Sequence, residues 1–191
     1  MNVMILSASP NTDGLTAACA AAAAGGVQAA GGTGEVVCLN TLRIGMCQAC
    51  VNVEGQGGWG TCRDLHQCQV RDDFQGMHAR VLRADALIIV TPVYWGDMSE
   101  SAKTFTDRLR RCEARRGEES GLAGKPVLCV AAAGGSGNGT ITCLQSLERW
   151  IQHTRARTWD LIPVNRWSRP YKLDAIRAAA EAMTRGAWDV K

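Results

Sequence analysis

The stretch Asp85-Ala86-Leu87-Ile88-Ile89-Val90-Thr91-Pro92-Val93-Tyr94-Trp95-Gly96 decides the fold. Its unbroken apolar run, bounded by Asp85 and Thr91-Pro92, is too short for a buried helix and does not alternate. A strand covered on both faces of a parallel sheet reads this way. Ala86–Thr91 is therefore expected as a strand, closed by Pro92, which lacks the N–H that a ladder needs. Outward from it the same texture recurs. Val3–Leu6, Glu35–Leu39, Pro126–Ala133 and Thr158–Val164 read as further strands. Between them Leu15–Ala30, Asp72–Ala84, a segment capped by Ser99 and running to Glu113, Thr140–Arg155 and Leu173–Val190 read as helices.

Five strands alternating with five helices predict an α/β three-layer sandwich of flavodoxin type. The five-stranded parallel sheet would have the order 2-1-3-4-5 and bind its ligand at the carboxyl ends of the strands. The chain has 191 residues, 46% hydrophobic and 20% charged, which suits a single domain over residues 1–191. Its 21 basic and 18 acidic residues leave only +3, too little to argue for nucleic acid or a membrane surface as partner. No apolar run approaches the ~20 residues of a membrane span and no basic segment precedes the first strand, so a cytoplasmic protein is expected. Nine cysteines, about 5% of the chain, fall below the ~8–10% of disulfide scaffolds; their clustering points to metal or redox chemistry.

Three strand-to-helix loops share an unusual composition. Ser7-Ala8-Ser9-Pro10-Asn11-Thr12-Asp13-Gly14-Leu15-Thr16 leads straight into a helix, where unpaired N–H groups and the positive dipole end favour phosphate. A turn merely capped by its own Ser, Thr and Asp is the equal alternative. The loop is neither a GxGxxG nor a Walker sequence. Pro92, Val93, Tyr94, Trp95 and Gly96 put two aromatic rings at the end of a buried strand, in a chain only 5% aromatic. They offer a wall for a planar ligand. Gly134-Gly135-Ser136-Gly137-Asn138-Gly139 lets backbone approach a flat ring, although a plain surface turn has the same composition. Together the loops outline a pocket with a phosphate end and a flat end. No Ser-His-Asp triad, carboxylate pair or zinc-protease spacing is present, so no catalytic side chain is assigned.

With these residues in place, the sequence resembles the NADPH-dependent FMN reductase family of flavodoxin-like proteins. The family's Ser-Pro-Arg-x-x-Gly-Asn-Thr phosphate loop is matched at Ser9, Pro10, Gly14 and Thr16, with Asn11 in place of Arg and Leu15 in place of Asn. The match continues through Ala84–Gly96, Ser99, Lys103, Phe105, Asp107 and Arg108. The resemblance implies FMN, with its phosphate at Ser7, Ser9, Asn11, Gly14, Leu15 and Thr16 and its ring at Pro92–Gly96 and Gly134–Gly137. It further implies NAD(P)H as electron donor, small-molecule or protein acceptors, and a homodimer or homotetramer.

The long segment Asn40–Arg71 carries Cys47-x2-Cys50-x11-Cys62-x5-Cys68. Four thiolates suit an iron–sulfur cluster or a tetrahedral zinc, and ordinary reduced thiols remain an alternative. The iron–sulfur flavoprotein branch of the family carries a compact cysteine motif at this place, which implies a 4Fe-4S cluster on Cys47, Cys50, Cys62 and Cys68. Here Val53 stands where that motif has its third cysteine. With a cluster, electrons would pass between FMN and a one-electron partner; without it, hydride would pass from NAD(P)H to a quinone, nitroaromatic or free flavin. Cys19, Cys38, Cys112, Cys129 and Cys143 are expected as small apolar residues. Trp150, Trp159, Trp167 and Trp188 are expected in the core or at dimer contacts, and His78 and His153 in structural roles.

Overall fold

The computed structural model describes residues 1–50 and 61–186. In chain order the elements are β1 (Asn2–Ser7), α1 (Leu15–Ala29), β2 (Thr33–Cys38), α2 (Thr61–Asp64), α3 (Phe74–Arg83), β3 (Ala86–Tyr94), β4 (Asp97–Met98), α4 (Glu100–Glu113), β5 (Pro126–Ala133), α5 (Thr140–His153), β6 (Arg157–Asn165) and α6 (Arg169–Thr184). Five strands form a parallel sheet in the order β2-β1-β3-β5-β6, which is the expected order once the two-residue β4 is set aside. The Asn40–Arg71 segment begins in a short 3-10 turn at Leu39–Thr41 and contains α2, so it is not wholly irregular. Trp188 and the last residues of the expected closing helix lie outside the described residues.

The central strands bury both faces, as their continuous apolar runs require. Val3, Ile5, Ile88, Val90, Leu128 and Val130 pack under α1 and α6. Met4, Leu6, Leu87, Ile89, Val127 and Cys129 pack under α3, α4 and α5. Gly26 explains the glycines inside α1: a Cβ there would stand 2.2 Å from the Arg177 carbonyl oxygen, so glycine is what lets α6 lie against α1.

Pro92 does not close β3, which continues to Tyr94. Val90 accepts from Ala8 N, so its carbonyl faces β1; Pro92, two residues on, faces the same side, where β1 has already ended. The missing N–H therefore costs no ladder bond, and the strand continues along β5 with Pro92 opposite Ala132. Past that point β3 turns back on itself. Tyr94 pairs with Asp97 across Trp95 (φ +50) and Gly96 (φ +82), a two-residue hairpin turn with both central residues left-handed. Trp95 accepts a conformation that side chains rarely adopt and is fully exposed.

Candidate functional site

The sheet order places the strand switch between β1 and β3, and the parallel registers Ser7 opposite Val90 and Pro92 opposite Ala132 bring the three loops to one edge. Ser99, the N-cap of α4, ties two of them together: its Oγ donates to Ala8 O at 2.7 Å and its N–H donates to Thr91 Oγ1 at 3.0 Å. Ser101 Oγ reaches Asn40 Oδ1 at 3.1 Å. Thr142 Oγ1 donates to Gly96 O at 2.8 Å, joining the hairpin to α5. Gly139 (φ +82) lies so near the hairpin that a Cβ on it would be 2.6 Å from Gly96 Cα.

The first turn of α1 distinguishes the two readings of the first loop. Ser9 Oγ accepts from Asn11 N and Asn11 Oδ1 accepts from Asp13 N, so these acceptors brace the loop rather than cap the helix, leaving the Ser9 hydroxyl hydrogen and Asn11 Nδ2 as donors. The N-cap is Gly14, no side chain caps the helix, and its first turn holds no acidic residue. The alternative of a self-capped turn is therefore not what the loop forms; the first N–H groups of the helix have no side-chain acceptor. Ser7, Ser9 and Thr16 are buried, Leu15 is partly buried and Asn11 is exposed. Pro92 and Val93 are partly buried, while Tyr94 and Trp95 are exposed; Gly134, Gly135 and Ser136 are exposed beside partly buried Gly137. Cys38 departs from the expected apolar role, since its thiol donates to Ser9 O at 3.4 Å within the phosphate-type loop.

Beyond the sheet edge, Cys47, Cys50, Cys62 and Cys68 line one enclosed cavity together with Val70, Arg108 and Arg111. The two stems of the cysteine segment are clamped to hold them there. Arg108 donates to Gly45 O, Val70 O and Asp72 Oδ2 at 2.9, 2.9 and 2.6 Å and stacks over the Phe74 ring at 4.3 Å. Asp72 Oδ2 also accepts from Gly45 N, and Asp73 pairs its backbone and carboxylate with Arg43. Asp72-Asp73 thus close the loop, and α3 begins at Phe74 rather than at Asp72. Burial alone would raise the Asp72 pKa; the hydrogen bonds from Arg108, Gly45 and Phe74 and the Arg108 charge outweigh it and hold the carboxyl below its ordinary value.

Burial alone would likewise lower the guanidinium pKa values of Arg108 and Arg111. For Arg108 the partners that outweigh burial are Asp72 and Cys68; for Arg111 they are Cys62, then Cys47 and Cys50. Two fixed cations therefore face four thiols, a donor set suited to a polythiolate centre of net negative charge. The cavity they line holds about 10 Å3, the room of one water, and among the described residues no three Cys, His, Asp or Glu side chains are grouped to hold a metal ion. In chemistry the residues fit a cluster or a soft metal; in geometry the four thiols share one cavity and must rearrange to hold one. Arg111 escaped the sequence reading, although its spacing of three from Arg108 puts both on one face of α4. Four thiols elsewhere are held protonated by burial, which pushes those of Cys19, Cys112 and Cys143 up to about 12 and raises that of Cys129 also.

Of the remaining expectations, Trp150 is buried, with Nε1 donating to Thr106 O, and Trp159 packs against the core. Trp167 is 61% exposed, contrary to a core position in this chain. His78 is structural, lying 2.7 Å from buried Glu113, whereas His153 is exposed on α5. His66 does not reach the thiol cavity; its Nδ1 stands 3.1 Å from Cys112 O. No helix among the described residues is long and apolar enough to cross a membrane.

Sheet order and loop placement together define a flavodoxin-like α/β protein. The chain belongs to the NADPH-dependent FMN reductase family, whose pattern matches residues 1–161. It is 26% identical over 120 residues to an iron-sulfur flavoprotein of Methanosarcina thermophila, an alignment covering 61% of this chain and 55% of that relative. The chain thus spans about half the length of that relative. Among solved structures it superposes on a flavone reductase with TM-score 0.76 at 15% identity, covering all of this chain and 64% of that one. It also superposes on an NAD(P)H:quinone oxidoreductase from Methanothermobacter marburgensis with TM-score 0.68 at 21% identity, covering 96% of each.

Proposed function

We propose that this chain is an FMN-dependent oxidoreductase whose cysteine segment holds a 4Fe-4S cluster. The observation that carries the flavin half is the uncapped first turn of α1 at the strand switch. Gly14, Leu15 and Thr16 would direct their N–H groups, and Thr16 its hydroxyl, at the phosphate. Ser7, Ser9 and Asn11 complete that end, with Asn11 supplying no charge where relatives of the family pattern carry an Arg. Pro92, Val93, Tyr94, Trp95 and Gly96 would wall one side of the ring and Gly134, Gly135, Ser136 and Gly137 the other. FMN when bound accepts a hydride and releases electrons singly. The protein's part is to orient the ring, exclude water from one face and anchor the tail.

Cys47, Cys50, Cys62 and Cys68 are the ligands this reading assigns, with Arg108 and Arg111 balancing the negative charge of the thiolates. The relative named an iron-sulfur flavoprotein supports this. A second reading, a cluster-free NAD(P)H-dependent reductase of quinones, nitroaromatics or free flavin, is favoured by the narrowness of the cavity that the thiols line and by the solved quinone oxidoreductase. Both readings keep residues 1–191 as one FMN domain in a cytoplasmic homodimer or homotetramer. Protein purified without oxygen should contain iron and sulfide beside FMN, with broad absorption beyond the flavin bands, and Cys50→Ser should bleach that absorption with FMN retained. Iron well below one cluster per chain selects the second reading. Loss of flavin together with the cluster in Cys50→Ser assigns the segment a structural role.

A further inference from the structure

The thiol cavity has a neighbour on its other side. Cys68, which lines the space between the sulfurs, also forms part of the wall of a separate cleft of about 370 Å3 between α3, the segment 65–71 and the turn after α4. That volume lies within the ~300–1,000 Å3 typical of small-molecule sites. Its charged lining is of one sign: Arg71 and Arg116, with His66, His78 and Gln75 and no lining carboxylate. No ion pair or hydrogen bond among the described residues involves the Arg71 side chain. Arg116 has only Glu113, at 3.9 Å. That carboxylate is fully buried and already serves His78, Ser120 Oγ and Gly121 N at 2.7, 2.8 and 3.1 Å.

The hydrogen-bonding groups of the lining narrow the class of ligand. His66 Nδ1 faces a carbonyl and His78 Nε2 faces a carboxylate, both pure acceptors, so those nitrogens carry the hydrogens. Gln75 is fully used, accepting from Asp72 N and donating to Cys68 O and Val70 O. The cleft therefore offers two guanidinium forks with no lining carboxylate to neutralise them. A carboxylate brings two oxygens and a single charge, enough for one fork. A phosphoryl group brings three acceptor oxygens and up to two charges, enough for both. We propose that this cleft binds a phosphoryl group on Arg71 and Arg116, seating a phosphorylated small molecule or free phosphate against Cys68. That such a ligand would thereby lie beside a redox centre rests on the preceding reading; the binding itself does not.

The chain has three histidines, so their ring signals can be followed separately by NMR on the full-length protein. At constant ionic strength, inorganic phosphate should shift His66 and His78 saturably, and acetate should not. Arg71→Ala with Arg116→Ala should weaken the phosphate response about tenfold or more. Both side chains reach solvent, and Arg177→Ala with Arg185→Ala removes the same charge from exposed positions on and just after α6 and should leave the response unchanged. A parallel titration with glycerol 2-phosphate separates the sources: a tighter response means a phosphorylated metabolite, an equal or weaker one means free phosphate. Absence of a saturable shift, an equal shift with acetate, or equal weakening by the two double variants overturns the proposal. The readout requires neither iron nor flavin, so its failure and that of the cluster assignment are scored independently.

Discussion

Arg108 is almost completely buried, with its charge met by Asp72 and its two terminal nitrogens bonded to the two backbone stems of the cysteine segment. Removing one partner of such a pair leaves the other unmatched, and Arg108→Gln is expected to cost about 3 kcal/mol, read as a lower denaturation midpoint. The acid limb should change too. Asp72 has a folded-state pKa below its ordinary 3.8, so its stabilisation is complete above about pH 5 and is lost as pH falls through the lowered value. The variant should lose that part of the wild-type acid dependence; an unchanged acid limb would separate Asp72 from the clamp. At this scale the sequence carried half of the message. Cys47, Cys50, Cys62 and Cys68 could be grouped by spacing, but Arg108 and Arg111 lie in a helix some forty residues later, and only the tertiary packing of α4 brings them to the thiols.

Two contacts between elements govern the edge and the core. Gly139 joins α5 to the β3–β4 hairpin, and Gly139→Ala meets both a left-handed backbone and Gly96 Cα. It should destabilise by about 1–3 kcal/mol and weaken FMN binding about tenfold or more, measured by flavin fluorescence titration. Retained affinity would mean that the hairpin does not need α5 to hold its place. Lys125, just before β5, donates its Nζ to Val81 O and Leu82 O at the end of α3. Burial pushes its pKa down to about 8 from 10.5. Between these values the unfolded chain holds more protons than the folded one, so stability rises with pH. The stability of the wild type minus that of Lys125→Met should therefore increase from pH 8 to 10.5, as measured by urea unfolding; a flat difference would mean Lys125 keeps its ordinary pKa. The central strands were legible because they are buried on both faces. The extension of β3 through Pro92 was not, because it depends on where β1 stops.

Over the whole molecule, alternating apolar runs sufficed for the layers and the strand order, since a parallel sheet allows few connections. The edge was legible as composition, three turn-rich loops, and became geometry through Ser99, Thr142 and the uncapped α1. The hairpin β4 and the cationic cleft beside Cys68 had no sequence signal, for one is two residues long and the other draws its two arginines from segments some forty-five residues apart. The central claim is that this edge holds a flat ring by its phosphate tail. Titrating FMN and riboflavin in parallel into flavin-free protein, followed by quenching of flavin fluorescence, tests it most directly. One FMN per chain, bound at least about tenfold more tightly than riboflavin, is the predicted result. Equal affinity for the two, or no quenching by either, would contradict it.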